Sequence, residues 1–286
     1  MYFEKIQKLY NQIDLEEIQA VNLDKVDEFE LTVKIAFCKS IQLNQIVHKE
    51  LFSENSFLYL STLRGICEET IVLKFIDELI SEGDKSELIK SLIKDSVFKE
   101  LKEQRVFFNK YRPAQPVLNE KLTDHFQGEE ISEVLNRNGI NGTKMPPTAQ
   151  MADRIGLKEL YDFIYRSSCS FVHFNPRIMH RTVWCQNEDL TKSKISVTNF
   201  NKYYFSFSSF YGSYLSGLLF KNFKRPLNIS NKNETIIEDI IELVRRKVHY
   251  PDLVTYEECN IDRPKTELTV INDFLENQIF EKKDYS

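Results

Sequence analysis

Apolar residues recur at three- and four-residue intervals along most of this chain, which is the spacing of one face of an α-helix. The pattern predicts long helices over residues 26–52, 55–82 and 84–111. In the second of these, apolar side chains occur on nearly every side instead of along one stripe. A helix that is apolar all round is typically surrounded by other helices. We therefore expect residues 55–82 to form the central helix of the fold.

The pattern is interrupted more often beyond residue 111. Residues 112–147 are the least periodic part of the chain, and the helices predicted there are short. Pro226 is expected to end a long aromatic helix, because proline cannot continue the helical hydrogen bonding. The further helices predicted from spacing and from Pro and Gly breaks are residues 117–126, 129–137, 157–174, 197–222, 235–249 and 267–281.

The composition favours an all-α fold, since the 286 residues include only 8 Gly and 8 Pro. Sandwiches and barrels need many more turn residues than this. We expect a single multi-helix domain with additional terminal helices. Its parts are an N-terminal helical extension over residues 1–25, a helical core over 26–225 and a C-terminal helical extension over 226–286.

The charge balance excludes a broad nucleic-acid-binding surface. The net charge is −5 and the isoelectric point is about 5.7, whereas proteins that neutralise many phosphates carry a basic surplus. A small local basic site, of the kind that holds a few nucleotides, is compatible with this balance.

The cysteines and the charge-free segments indicate the compartment. Five Cys are scattered singly without a Cys-x-x-Cys pair, so we expect reduced thiols, a cytoplasmic protein and no zinc site. The longest charge-free run, residues 203–220, is rich in Ser and shorter than the about 20 apolar residues that a membrane span needs. Phosphate-loop and dinucleotide motifs are absent, so no cofactor is expected either.

The helix predicted over residues 157–174 carries the clearest candidate chemistry. Arg166, Ser170 and His173 follow one another at i, i+4 and i+7, so they share one face over an axial rise of about 10 Å. An Arg that holds a phosphate oxygen and a His that moves a proton suit work on a phosphodiester. The alternative is a face that forms ion pairs with neighbouring helices. The opposite, core-facing stripe is predicted to contain Leu157, Leu160, Tyr161, Ile164, Ser168, Phe171 and Val172.

Pro176 predicts where this helix ends, because the residue before a proline avoids helical geometry. His173 should therefore lie at a helix C-terminus, with Asn175 beside it as a site-supporting residue. The basic character continues beyond the proline, where a phosphate-binding group or a solvated turn would be formed by Arg177, His180 and Arg181.

The predicted central helix contains two charged residues, Arg64 and Glu68, four positions apart. Buried charges without partners are costly, and Arg before Glu is the weaker orientation for a local pair, so each should bond to another helix. One interpretation is a buried polar clamp that sets the register between helices. The other is a contribution to the site, in which Glu68 orients His173 or Arg166 and Ser170 lines the same face.

Small residues at four-residue spacing occur in the aromatic helix, as Gly212-x-x-x-Ser216 and Ser213-x-x-x-Gly217. Small side chains allow two helix backbones to approach closely. We therefore expect this helix to pack tightly in the core or in a dimer; stacking of bases on its aromatic rings is the alternative.

Six residues separate Arg166 from His173, which fits the Arg-x(4–6)-His pattern of the HEPN superfamily of helical domains. The longer run Ala152-Asp-Arg-Ile-Gly-Leu-Lys-Glu-Leu-Tyr-Asp-Phe-Ile-Tyr-Arg-Ser-Ser-Cys-Ser-Phe-Val-His173 resembles an uncharacterised family of bacterial all-helical proteins. That family shows a Gly-Leu…Leu-Tyr…Tyr…Ser…Val-His run after a helix with Arg-x-x-x-Glu, here Arg64 to Glu68. The resemblance covers roughly residues 30–220.

HEPN-like proteins are often metal-independent ribonucleases, toxins or antiphage effectors, and their active cleft typically forms where the Arg-His helices of two protomers meet. The resemblance implies a HEPN-like helical bundle core, a homodimer, RNA as substrate and a protein partner encoded nearby. Arg166 would bind the scissile phosphate and His173 would act as general acid and base in attack by a 2′-hydroxyl. Other HEPN-like domains are inactive, so the alternative is a non-catalytic helical regulator or scaffold that binds a protein partner or a nucleotide.

Overall fold

The computed structural model of the chain describes residues 2–22, 27–49, 51–52, 56–115, 129–182 and 195–254. Over these ranges the chain forms helices and no strand, which confirms the predicted all-α class. In the same ranges, no helix is at once long enough and apolar enough to cross a membrane.

The long helices lie where the spacing of apolar residues predicts them, to within a few residues, and residues 129–137 match their prediction at both ends. The predictions for residues 117–126 and 267–281 fall outside the described residues. A π-helical turn (Tyr161–Tyr165) joins α8 to α9, and a 3₁₀ turn (Val197–Phe200) precedes α11. The helices are α1 (Tyr2–Tyr10), α2 (Leu15–Gln19), α3 (Glu28–Lys49), α4 (Ser56–Leu79), α5 (Glu82–Tyr111), α6 (Glu129–Arg137), α7 (Thr148–Arg154), α8 (Lys158–Leu160), α9 (Arg166–Val172), α10 (Pro176–Arg181), α11 (Asn201–Leu227) and α12 (Asn231–Arg245).

Helix α4 occupies the centre of the bundle, as its apolar surface predicts. It contacts α3, α5, α7, α9 and α11, and the side chains of Leu60, Ile66 and Phe75 on it are fully or almost fully buried. Together these neighbours shield the apolar surface of α4 from water. The central helix therefore supplies the platform on which α9 is held.

Two glycines let α11 approach its neighbours closely, which confirms the expectation from the small-residue spacing. A Cβ at Gly212 would lie 2.5 Å from Oδ1 of Asn44 on α3, and one at Gly217 would lie 2.7 Å from Cγ1 of Ile241 on α12. Both distances are below normal contact, so a larger residue at either crossing would displace the neighbouring side chain. The tight packing of α11 is thereby built into the core of the bundle.

The break that the sequence predicts before Pro226 is present at Phe223, but a short helical turn follows it. Helix α11 continues through Pro226 to Leu227, and it absorbs the proline by a kink at Phe223, whose φ is −125° and ψ is 27°. A proline ring clashes with the backbone one turn earlier, and a local departure from helical geometry relieves that clash. Burial of Phe223 and Leu227 holds the segment beyond the kink against the core, and Asn228 in the left-handed conformation ends it.

Residues Met1–Lys247 form one compact unit. Within it, α1 contacts both α3 and α12, and Ile6 and Tyr10 of α1 are completely buried. The first and last described helices thus contribute to the same core as the middle of the chain. The second unit, Val248–Ser286, is described only over residues 248–254, which contain no helix.

Candidate functional site

The helix that carries Arg166 is less regular than the sequence predicts. Because a π-helical turn places an extra residue in each turn, it rotates the residues that follow it relative to an unbroken α-helix. After the turn at Tyr161–Tyr165, the side chains of Tyr165 and Ser167 are buried, whereas Val172 is 47 % exposed. The placement of Val172 on the core stripe is therefore wrong: Val172 is the last residue of α9, whereas Ser168 on the same stripe is buried.

Arg166 and His173 both face solvent at α9. The Arg166 side chain is 69 % exposed and forms an ion pair of 3.6 Å with Asp162, one turn earlier. Ser170 between them is half-buried. His173 is exposed and caps the C-terminus of α9, where its backbone N–H donates to the carbonyl oxygen of Cys169 at 2.9 Å. The helix ends where Pro176 predicts.

Little restrains these two side chains. An ion pair as exposed as that between Arg166 and Asp162 contributes about 0–1 kcal/mol, so it leaves the guanidinium available to an anion. Within the described residues, the ring of His173 makes no hydrogen bond. Arg166 and His173 are therefore accessible to a ligand that approaches α9 from solvent.

Behind this exposed face, Arg64 and Glu68 of α4 bond to other helices, as the sequence predicts. The Arg64 guanidinium donates to the hydroxyl of Tyr165 at 3.2 Å and lies 5.3 Å from the centre of the same ring. This hydrogen bond raises the pKa of Arg64. Thr148, at the start of α7, donates its hydroxyl to Oε1 of Glu68 at 3.1 Å. Arg64 thus joins α4 to the π-helical turn immediately before Arg166.

The prediction that Glu68 orients His173 or Arg166 is not what the structure shows. The hydrogen bond of Glu68 runs to Thr148, and no hydrogen bond among the described residues joins Glu68 to either member of the pair. The carboxylate nearest in sequence to Arg166, that of Asp162, takes the ion pair instead because it lies one turn away on the same helix.

Two thiols lie between α4 and α9. Burial raises the pKa of Cys67 to about 12. Burial also raises the pKa of Cys169, although the positive charges of Arg64 and Arg166 act in the opposite direction. Both thiols are therefore protonated near neutral pH, and a protonated thiol is a poor nucleophile. Covalent catalysis by either cysteine is not supported.

Asn175 has a structural role that the sequence did not predict. It is the N-cap of α10, and its Oδ1 accepts hydrogen bonds from the backbone N–H groups of Arg177 at 3.0 Å and Ile178 at 3.4 Å. Pro176 occupies the first helical position, where its missing N–H and fixed φ are favourable. Asn175 therefore sets the direction of the chain immediately after His173.

The three residues of the predicted phosphate-binding group beyond Pro176 differ in their exposure to solvent. His180 is exposed and Arg177 is half-buried. Arg181, by contrast, is only 1 % exposed, and its guanidinium carbon lies 4.7 Å from the ring centre of Phe200 and 4.3 Å from that of Tyr203. A phosphate in solvent cannot reach it, so its inclusion in that group is wrong. Its positive charge is held against aromatic rings instead.

Large apolar side chains are exposed next to the Arg166–His173 face. Val172 precedes His173 and Phe174 follows it, and they are 47 % and 82 % exposed. Met179 on α10 is 55 % exposed. Side chains of this size, grouped and exposed, often mark an interaction surface. We refer to Val172, Phe174 and Met179, which lie close to His173 in the sequence, as the apolar border.

Metal binding finds no support in the described part of the chain, which holds no group of three or more His, Cys, Asp or Glu side chains that could ligate an ion. The cations at α9 are the side chains that can balance negative charge there.

Three residues of this region were not identified from the sequence as site residues: Asp162, Tyr165 and Thr148. The position of Asp162, four residues before Arg166, was a usable signal, since such pairs interact on a helix surface. The role of Tyr165 was not predictable, because its contact with Arg64 joins residues 101 positions apart. Thr148 offered no signal either, since its contact with Glu68 joins residues 80 positions apart.

Comparison with known proteins places these residues in one stretch of similarity. No curated protein and no solved structure matches the chain. Residues 52–190 match the model of a family of unknown function (DUF5677). This stretch includes α4, α9 and α10, and with them every residue of the candidate site. Over residues 52–190 the chain is similar to that family.

Proposed function

We propose that the protein is a metal-independent, HEPN-like ribonuclease that acts as a toxin or antiviral defence effector. The observation that carries the proposal is the joint exposure of Arg166, at the start of α9, and His173, at its C-terminal cap. In the proposed reaction, His173 takes the proton from a 2′-hydroxyl that attacks the neighbouring phosphorus, and Arg166 balances the charge that develops on the phosphate oxygens. His173 then returns this proton to the departing 5′-oxygen. The downstream RNA fragment leaves with a 5′-hydroxyl, and the upstream fragment keeps a 2′,3′-cyclic phosphate.

A homodimer would complete this site. Arg166 and His173 are separated along α9 by an axial rise of about 10 Å, which is long for two groups that act on one phosphate. When two copies of a helix meet about a two-fold axis, residue i of one faces residue j of the other and the reverse. An antiparallel pair of α9 helices would bring Arg166 close to the partner subunit's His173. The exposed Val172 and Phe174 support burial of this surface by a second copy.

The decisive experiment is cleavage of total RNA by the purified protein in EDTA. Wild type is expected to produce fragments with 2′,3′-cyclic phosphate ends. The variants His173→Ala and Arg166→Ala should each lose activity by about a hundredfold or more, the scale of general acid–base and charge-stabilising groups. The control is His249→Ala, which removes an exposed histidine that belongs to no candidate site. Cleavage that persists in both site variants, or is absent from wild type, would refute the assignment.

The dimer is tested by light scattering and by activity at several protein concentrations. Phe174→Asp places a charge on the apolar border and should shift the protein towards monomer, with specific activity that recovers as the protein concentration rises. A wild-type protein that is monomeric at all concentrations and fully active contradicts the shared site.

One observation favours a second candidate, a non-catalytic helical regulator or scaffold that binds a protein partner or a nucleotide. The described residues include no hydrogen-bond partner that orients the ring of His173, whereas catalytic imidazoles are commonly held by one. In that case the apolar border would bind a different protein. A complex that forms without RNA cleavage, and that Phe174→Asp disrupts, would establish this function instead.

A further inference from the structure

Helix α5 changes character along its length. Its buried residues, Lys85, Leu88, Ile89 and Ser91, all lie in the first third of the helix. Residues 92–111 extend over about 30 Å, at 1.5 Å per residue, and none of their side chains is fully buried. The side chains at the C-terminal end of this long helix therefore contribute little to the core.

Aromatic rings are exposed at this end. Phe107 is 54 % exposed and Tyr111 is 52 % exposed, and their ring centres lie 4.9 Å apart. Phe108 adjoins Phe107 at 5.7 Å in an edge-on arrangement. Exposing two large rings side by side is unfavourable unless something covers them. About half of the surface of each ring is thus accessible to a partner from solvent.

The same segment is basic within an acidic protein. Residues 105–112 contain three basic and no acidic residues, in a chain of net charge −5. Lys110 lies 5.1 Å from the ring centre of Tyr111, and the Arg112 side chain donates to the carbonyl oxygen of Tyr111 at 3.1 Å. Within the described residues, neither Lys110 nor Arg112 forms an ion pair. Their charges are therefore available to an anion beside the exposed rings.

We propose that the end of α5, formed by Phe107, Lys110, Tyr111 and Arg112, is a binding site for single-stranded nucleic acid. Unpaired bases stack on exposed aromatic rings, and the phosphates between them are balanced by neighbouring cations. Bases inside a duplex are already stacked and do not offer their faces. The proposal deepens the proposed ribonuclease function and rests on it for the choice of RNA as the natural ligand.

Two other occupants fit less well. A second copy of the helix end would bring like charges together, since residues 105–112 carry only positive charge. A membrane-surface helix needs a continuous apolar face, but Glu100 and Gln104 interrupt the stripe between Val97 and Phe107. Charge and side-chain pattern both favour a strand of nucleic acid over these occupants.

The test is fluorescence anisotropy of the full chain with labelled oligodeoxynucleotide of about 16 nucleotides, the upper end of the site sizes of single-strand-binding domains. DNA has the same phosphates and base faces but lacks the 2′-hydroxyl, so no cleavage interferes. Phe107→Ala and Tyr111→Ala should each weaken binding by at least about fivefold, as loss of one stacking ring does. The matched control, Val97→Ala, removes another exposed apolar side chain of α5 and should bind like wild type.

The charges are tested through the salt dependence of binding. Lys110→Gln combined with Arg112→Gln should reduce the slope of log K against log salt concentration by about 1.4, since each phosphate contact to a single strand contributes about 0.7. Removing two exposed lysines elsewhere, Lys5→Gln with Lys144→Gln, should leave that slope unchanged. All these positions are exposed, so thermal melting should confirm that each variant is folded.

The outcomes separate this site from the proposed reaction. Oligonucleotide binding that depends on the two rings, in a protein that cleaves no RNA, would sustain the site and refute the ribonuclease. RNA cleavage together with unchanged binding by every ring variant would refute the site alone. Wild-type binding to vesicles rich in phosphatidylserine but not to the oligonucleotide, or association of two copies through α5, would also overturn it.

Discussion

Acid destabilisation through His48 is the sharpest prediction that the core allows. His48, near the end of α3, is completely buried. Its ring stacks on Tyr10 at 5.0 Å, lies edge-on to Phe205 at 6.0 Å, and forms a hydrogen bond of 3.0 Å between Nε2 and the Ser209 hydroxyl. These neighbours are two aromatic rings and a hydroxyl, and none of the three carries a negative charge. Burial alone therefore lowers the pKa of His48 from 6.5 to about 3.

The direction of the pH effect follows from this lowered pKa. The unfolded chain binds a proton at His48 near pH 6.5, whereas the folded chain binds it only near pH 3. The stability is fully present above the unfolded pKa and is lost as the pH falls below it, because the unfolded state then holds more protons. The loss amounts to about 2 kcal/mol at about pH 5 and approaches about 5 kcal/mol below about pH 3.

The assay is urea unfolding of wild type and His48→Gln at about pH 7.5 and about pH 5. Glutamine does not titrate, and its amide retains a group for the hydrogen bond to Ser209. Between the two pH values, wild type should lose about 2 kcal/mol more free energy of unfolding than the variant. Because each protein is compared with itself at the two pH values, a destabilisation by the substitution that is the same at both pH values cancels.

A matched control separates burial from the loss of a histidine. His180→Gln removes an exposed ring that meets water in the folded and unfolded states alike, so it should behave as wild type does. If His48→Gln and wild type lost the same free energy of unfolding on acidification, another group would carry the pH dependence and the reasoning would be refuted.

Three further substitutions test the packing around the core and the site. Gly212→Ala should destabilise the protein by about 1–3 kcal/mol in urea unfolding, because no room exists for a Cβ, whereas Gly65→Ala, with nothing within 4 Å, should be neutral or stabilising. Tyr165→Phe should cost about 1 kcal/mol by the same measurement, since the hydroxyl that accepts from Arg64 is lost; an unchanged midpoint would contradict this. Asn175→Ala should cost about 1 kcal/mol through loss of the α10 cap, and Asn175→Asp should restore it; equal midpoints for the two variants would argue against capping.

Most of the helical architecture was predictable from local sequence. The boundaries of α3 to α6 follow from apolar spacing and from Pro and Gly breaks, which act within a few residues of the chain. The central position of α4 followed from its apolar surface, because such a helix must be covered on several sides. The continuation of α11 past Pro226 was not predictable in this way, since burial of Phe223 and Leu227 by other helices outweighs the local preference.

The candidate site, too, was predictable from the sequence only where local interactions determine it. The exposure of Arg166 and the helix end before Pro176 depend on periodicity and on the geometry of proline, and both are visible in the sequence. That Arg64 and Glu68 bond to other helices also followed, because charges in an apolar helix need partners. Their actual partners, Tyr165 and Thr148, were not predictable, since these contacts join residues about a hundred positions apart in one case and eighty in the other.

By itself, then, the sequence determined an all-α bundle around α4 and a polar face on the helix that contains Arg166 and His173. Only the tertiary structure decided that Arg181 is enclosed by aromatic rings, that Val172 is exposed, and that His48 is buried against α11. The physical reason is the range of the interactions. Periodicity and capping act within one or two turns, whereas the burial of a polar side chain depends on which distant segments pack around it.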